Sequence, residues 1–183
     1  MPLIGEPLAI DLVNTRTAAG DLLATADDLR AWLRRQDGRI PEAPERAAAL
    51  TDADLAAVRR LRAVTARLLH HARHGTAPDP ADLEALHGFQ RAAPAITELA
   101  WNGTALVAAR RRTGSAGDRL VAALAEAAAE LLADPAVTRI RECAADDCVL
   151  LFLPAHPRRR WCSPTGCGNR ARVARHYRRH RPG

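Results

Sequence analysis

The sequence predicts a mainly α-helical chain with one β-hairpin (an α+β fold), followed by a small cysteine-stapled unit. Three observations predict it. Between residues 25 and 133, four stretches begin with helix-capping residues and repeat apolar positions three and four apart. A single Asn102-Gly103 dipeptide separates two strand-like runs. All four cysteines of the 183 residues fall between positions 143 and 167.

The elements follow in order. Residues 8–13 fit either period, Leu8/Leu12 and Ala9/Val13 for a helix, Leu8/Ile10/Leu12 for a strand, and a short helix is expected. Residues 25–35 start at Thr25 with Asp28 three positions on, a capping box, and place Leu29, Trp32 and Leu33 on one face. Pro41 and Pro44 mark a loop. Residues 51–74 form the clearest helix: Thr51 and Asp54 cap it, Leu55, Val58, Leu61, Leu68 and Leu69 bury, and Gly75 stops it. Asp79-Pro80 restarts the chain, with Leu83, Leu86 and Phe89 inward. Residues 96–101 and 104–110 flank Asn102-Gly103, which predicts a two-residue type I′ turn. Ser115 and Asp118 cap a last helix to about residue 133, and residues 135–139 read as a linker, so the domains are set at 1–137 and 138–183.

Aromatics make up 3% of the chain, so the core must be built from Leu, Val and Ala on helices. No apolar run approaches the ~20 residues that span a bilayer, and residues 1–20 carry Glu6 and Asp11 where a secretory leader would be apolar. A cytoplasmic chain without a membrane partner is therefore expected. His70, His71 and His74 crowd one helix end, where they complement the helix dipole rather than fill a metal shell. Asp11, Asn14 and Arg16 sit beside an apolar face. They read either as a hydrogen-bonded core turn or as part of a ligand pocket.

Cys143 and Cys148, then Cys162 and Cys167, follow the pattern C-x4-C, thirteen residues, C-x4-C. Two close pairs supply the four soft ligands of a tetrahedral Zn²⁺ site. Two disulfides are the alternative, disfavoured where thiols stay reduced. One structural zinc is expected, and knuckle, hairpin, second knuckle and helix is the order of a treble clef. Nine arginines and no acid follow residue 153, a charge of +9 against −3 for the rest of the chain. Such asymmetry points to a polyanion for the tail. On a helical wheel from Gly168, Arg172, Arg175 and Arg179 oppose Val173, Ala174 and Tyr177. The apolar side is expected to pack on the zinc hairpin and the arginine side to face a nucleic acid. Arg158, Arg159, Arg160, Arg170 and Arg178 extend that basic set, with Arg170 also placed to neutralise the thiolates.

Arg159-Arg160-Trp161-Cys162-Ser163 and Cys167-Gly168-Asn169-Arg170 resemble the CGNR zinc finger. Leu8-Ala9-Ile10-Asp11-Leu12-Val13-Asn14-Thr15-Arg16 is similar to the start of the ABATE domain that precedes it. The chain departs from the family at Leu153 to His156, where an Asp and then Ser or Thr are usual, and at Pro164, where Met is usual. The resemblance implies a bacterial, stress-linked transcription regulator with DNA binding assigned to the finger, at the nucleoid. The expected function is thus a zinc-dependent DNA-binding regulator whose N-terminal domain senses a small-molecule effector or a partner. An RNA- or protein-binding zinc module is the alternative. An enzyme in the N-terminal domain comes third and is not expected, since no nucleophile–base pair or paired carboxylates stand out. The oligomeric state stays open, homodimer included.

Overall fold

The expected caps become helix starts. The structure, a computed structural model, describes residues 5–40 and 49–179; the loop expected around Pro41 and Pro44 lies outside them. Thr25 opens α2 (Ala26–Arg35) and Thr51 opens α3 (Asp52–His74), each with both halves of a capping box formed to Asp28 and Asp54. Asp79 caps α4 (Pro80–Ala92) and Ser115 caps α5 (Ala116–Ala133). Each such cap holds an otherwise unpaired amide and contributes about 1 kcal/mol. Gly75 ends α3 in the left-handed conformation, φ 64°, which a side chain would disfavour.

Helices α3, α4 and α5 pack on one another, and the short α1 (Leu8–Val13) lies across α3 and α5. Ile10, Leu12, Leu29, Val58, Leu61 and Leu69 are fully buried in the shared core. Burying each large aliphatic side chain stabilises the fold by about 1.5–3 kcal/mol. On α4 the inner position expected for Leu83 is taken by Asp82, which pairs with Arg67 at 2.5 Å, and Leu83 is exposed. A hydrophobic-period reading passes over a carboxylate whose cation lies on another helix.

Three small antiparallel ribbons complete the chain. β1 (Arg16–Thr17) and β2 (Gly20–Asp21) pair tightly after α1, an element with too few residues to leave a sequence pattern. Arg62 of α3 grips Asp21 through both carboxylate oxygens, at 2.7 and 2.5 Å. β3 (Ala95–Trp101) and β4 (Leu106–Arg112) form the expected hairpin, with Trp101 opposite Leu106. Its turn differs from the expected two-residue type I′ turn. Asn102 Oδ1 accepts the amides of Thr104 and Ala105, each at 2.9 Å, so the loop spans four residues. β5 (Arg141–Glu142) and β6 (Leu151–Phe152) form the third ribbon.

The expected linker is ordered. Pro135–Arg139 is a 3-10 turn capped by Asp134, and its Val137 is buried with the helices. Ile140 and Leu151 join the same core, although they lie beyond residue 137. Residues alternate across a strand. Leu151 and Leu153 face the helical core, while Leu150 and Phe152 face the cysteines. One short strand is therefore shared between both cores. α6 (Cys167–Arg179) ends the described chain.

Candidate metal centre and nucleic-acid interface

β5 and β6 bracket the first cysteine pair, and the Cys143 amide donates to the Leu150 carbonyl at 2.9 Å. The second pair lies at the start of α6, where Gly168 N–H donates to Ser163 O at 2.9 Å and Ser163 Oγ accepts from Gly166 N–H at 3.0 Å. The four sulfurs of Cys143, Cys148, Cys162 and Cys167 consequently lie within 4.8 Å of one another. Cys162 Sγ is 3.5 Å from Cys167 Sγ and 3.8 Å from Cys148 Sγ. Tetrahedral Zn–S bonds of about 2.3 Å separate sulfurs by ~3.8 Å, so the donor set fits one zinc ion. A disulfide needs about 2.05 Å, and all four cysteines are free.

Burial and the neighbouring sulfurs both act on the thiols of the cluster. Burial, reinforced by the neighbouring thiols, pushes Cys148 up to about 11 and Cys162 further up. At Cys143 burial also acts upward, but hydrogen bonds from the Cys162 and Ala145 amides and from the Cys162 and Cys148 thiols together outweigh it and hold the thiol below its ordinary value. Arg170 donates to Cys167 Sγ at 3.3 Å and pairs with Asp147 at 3.2 Å, so its charge lies against the sulfur cluster. Asn169 is exposed; it is Arg170 that reaches a sulfur. Four cysteine ligands leave no open position, which makes the site structural. Zinc, when bound, would supply the cross-link that a core of Leu150, Phe152 and Trp161 is too small to replace.

The basic residues divide in two. Arg159 is spent on the junction with the helical domain: it donates to Glu6 Oε1 at 2.6 Å and to Cys162 O at 2.7 Å, and lies 4.5 Å over the Phe152 ring. Arg158, Arg160, Arg172 and Arg175 are exposed, and none pairs with an acid among the described residues. Arg160 lies 5.6 Å over the Trp161 ring. The side chains of Arg178 and Arg179 lie outside the described residues. The expected packing of the α6 apolar side does not occur. Ala174 is exposed, as are Val173 at 46% and Tyr177 at 71%. Leu150, Phe152 and Trp161 already fill the space around the cysteines, and α6 leaves that cluster after its first turn.

Asp11, Asn14 and Arg16 do not converge on one pocket. Asp11 is fully buried, accepts from Gly5 N and Glu6 N at 3.3 Å each, and pairs with Arg39 at 2.5 Å. Burial raises its carboxyl above the usual range against the opposing pull of Arg39. Asn14 bonds to the Leu151 main chain. Arg16 is exposed on β1. Glu6, placed by Asp11, accepts from Leu153 N at 2.8 Å as well as from Arg159. A cleft of about 360 Å³ remains at this junction, lined by Gly5, Glu6, Asn14, Leu151, Arg159, Cys162 and Pro164. Sequence reasoning missed Glu6 as a functional residue; its partners lie about 150 residues away in the chain, and no local signal marks them.

With this geometry in place, the family comparison is decisive. Residues 6–135 match the ABATE family model, described as "Putative stress-induced transcription regulator". The chain belongs to the ABATE family. Residues 139–180 match the CGNR zinc finger, which covers all four cysteines and the whole of α6. A comparison with curated proteins finds no match. The ABATE domain and the finger together mark a zinc-binding regulator, and no described helix is long and apolar enough to cross a membrane.

Proposed function

We propose that this ABATE protein binds DNA through the outer surface of its CGNR finger, with α6 as the docking helix. The observation that carries this reading is a run of arginines without acids: residues 154–183 hold nine arginines and no Asp or Glu. In the helical domain Arg39, Arg62, Arg67, Arg91, Arg110 and Arg112 pair with carboxylates, and exposed arginines such as Arg34 and Arg60 are interspersed with acids along the chain. In the finger Arg158, Arg160, Arg172 and Arg175 are exposed with no acid beside them among the described residues. Cations left unneutralised supply the counter-ion release that drives binding to a phosphate backbone, and the forked guanidinium also suits guanine edges. The proposed role is binding rather than catalysis, since four thiols close the metal shell. The helical domain is proposed to carry the regulatory input, with the junction cleft at Glu6 and Asn14 as the place where an effector would bear on the finger.

The test is duplex-DNA affinity of the zinc-loaded chain at several salt concentrations. Arg172→Ala and Arg175→Ala should each weaken binding and lower the salt slope by about one unit, and Arg34→Ala, an exposed arginine of α2, should change neither. Unchanged affinity in the Arg172/Arg175 double variant would falsify the reading and favour an RNA or protein partner.

A further inference from the structure

The C-terminal end of α3 carries three histidines, His70, His71 and His74, and none of them belongs to the core. His70 and His74 are exposed and four residues apart, so they share one face of the helix. Their ring centres lie 4.6 Å apart, with the rings tilted by 53°. His74 Nδ1 stands 2.7 Å from the His70 carbonyl. A carbonyl only accepts, so Nδ1 carries the proton and Nε2 keeps its lone pair. An imidazole that ligates a metal is typically held in this way, its other nitrogen donating to a main-chain carbonyl. No hydrogen bond engages a ring nitrogen of His70 among the described residues. His71 is engaged elsewhere, with its Nδ1 2.9 Å from Thr76 Oγ1.

We propose that His70 and His74 form a second metal site, separate from the cysteine cluster, for a divalent late first-row ion such as Cu²⁺ or Ni²⁺. Spacing supports the ion type. With metal–nitrogen bonds of ~2.0–2.1 Å, imidazoles on adjacent corners of a square have ring centres about 4.5 Å apart, and on tetrahedral corners about 5.2 Å. The observed 4.6 Å fits the square arrangement of Cu²⁺ and Ni²⁺ better than the tetrahedron of zinc.

Charge supports a cation at this place. α3 ends here, and the negative end of its dipole serves a metal ion as well as it serves an imidazolium. The two guanidinium groups of the same stretch are already neutralised, Arg67 by Asp82 at 2.5 Å and Arg73 by Glu142. Glu142 immediately precedes Cys143, so the pair lies where α3 meets the finger. Two protein ligands leave the rest of the shell to water. Such an ion exchanges and is lost on dialysis, whereas zinc in four thiolates is retained. The inference stands on the histidines alone and does not depend on what the finger binds.

Calorimetric titration of Ni²⁺ into the zinc-loaded full chain tests it. His176→Ala and His180→Ala are present throughout, because these two residues are the sequence's other four-spaced histidine pair. One Ni²⁺ should bind per chain, with no zinc released to an indicator dye. His70→Ala and His74→Ala should each weaken binding at least ~10-fold, since losing a ligand costs no less than losing its supporting hydrogen bond. His71→Ala should leave the affinity unchanged. The helical signal should be the same in all variants, because none of the three rings is in the core. No binding up to ~1 mM Ni²⁺, binding that survives the loss of both His70 and His74, or an equal loss in His71→Ala overturns the proposal.

Discussion

The side chain of Asn14 and the main chain of Leu151 exchange two hydrogen bonds, Nδ2 donating to the Leu151 carbonyl and the Leu151 amide donating to Oδ1, both at 2.8 Å. An amide side chain on α1 thus acts as one more strand edge for β6. Both residues are buried, so neither main-chain group has water to turn to. Through this pair and the Glu6 contacts, the finger is continuous with the helical domain.

Asn14→Ala removes both bonds and strands a buried N–H and a buried carbonyl. Each such group costs ~1–3 kcal/mol, so a loss of about 2–6 kcal/mol is expected in urea unfolding. Asn14→Asp should be nearly as damaging, because a carboxylate cannot donate to the Leu151 carbonyl. A midpoint within error of the parent would show that the junction is held elsewhere.

A chain truncated after Val137 loses Ile140 and Leu151 from the helical core and leaves Asn14 and Glu6 without partners. The two aliphatic side chains alone are worth about 3–6 kcal/mol. The fragment should keep its helical signal but unfold at lower denaturant than the full chain. Equal midpoints would mean that the two parts are energetically separate.

Zinc should be present at one ion per chain by metal analysis, and Cys162→Ser should abolish it. Because β6 serves both cores, chelation should also lower the melting temperature of the helical domain. Loss of metal with an unshifted helical transition would contradict the shared strand.

Asp21 gives the acid response a sign. Arg62, reinforced by the Leu23 amide, holds its carboxyl below the usual value despite partial burial. A depressed carboxyl contributes stability that is complete above the unfolded pKa of about 3.9 and fades as pH falls through the folded value. Asp21→Asn should therefore cost ~2–3 kcal/mol near neutrality, leaving the buried Arg62 unpaired, and should flatten the loss of stability below about pH 4. A variant whose acid limb still parallels the parent's would remove Asp21 from that role.

What the sequence made legible was local. Thr25, Thr51, Asp79 and Ser115 announce their helices because a cap and its partner lie within three residues, and the cysteine pairs announce a metal site for the same reason. What stayed hidden depends on partners far along the chain. Asp11 and Asn14 read as either core-turn or pocket residues until Arg39 and Leu151 arrive beside them. Arg159 looks like its neighbours Arg158 and Arg160 until Glu6 claims it. The turn length at Asn102 was set by one side-chain oxygen, and the helical wheel of α6 showed an apolar face without showing that the space beneath it was taken.

Arg159 and Arg172 should consequently separate under mutation, though both are tail arginines. Arg159 lies half-buried between Glu6, two main-chain carbonyls and the Phe152 ring. Arg159→Ala loses those charge-assisted bonds, each worth about 1.5–3 kcal/mol, and strands the Glu6 carboxylate. It should lower stability and leave the salt slope of DNA binding unchanged. Arg172 is exposed, with one long contact of 3.4 Å to the Pro164 carbonyl. Arg172→Ala should leave the urea midpoint within ~0.5 kcal/mol of the parent and lower the salt slope by about one. Glu6→Gln should follow Arg159→Ala in stability, since it weakens the same pair from the other side. If Arg159→Ala instead changes the salt slope with stability intact, its guanidinium faces the nucleic acid and the Glu6 contact is dispensable.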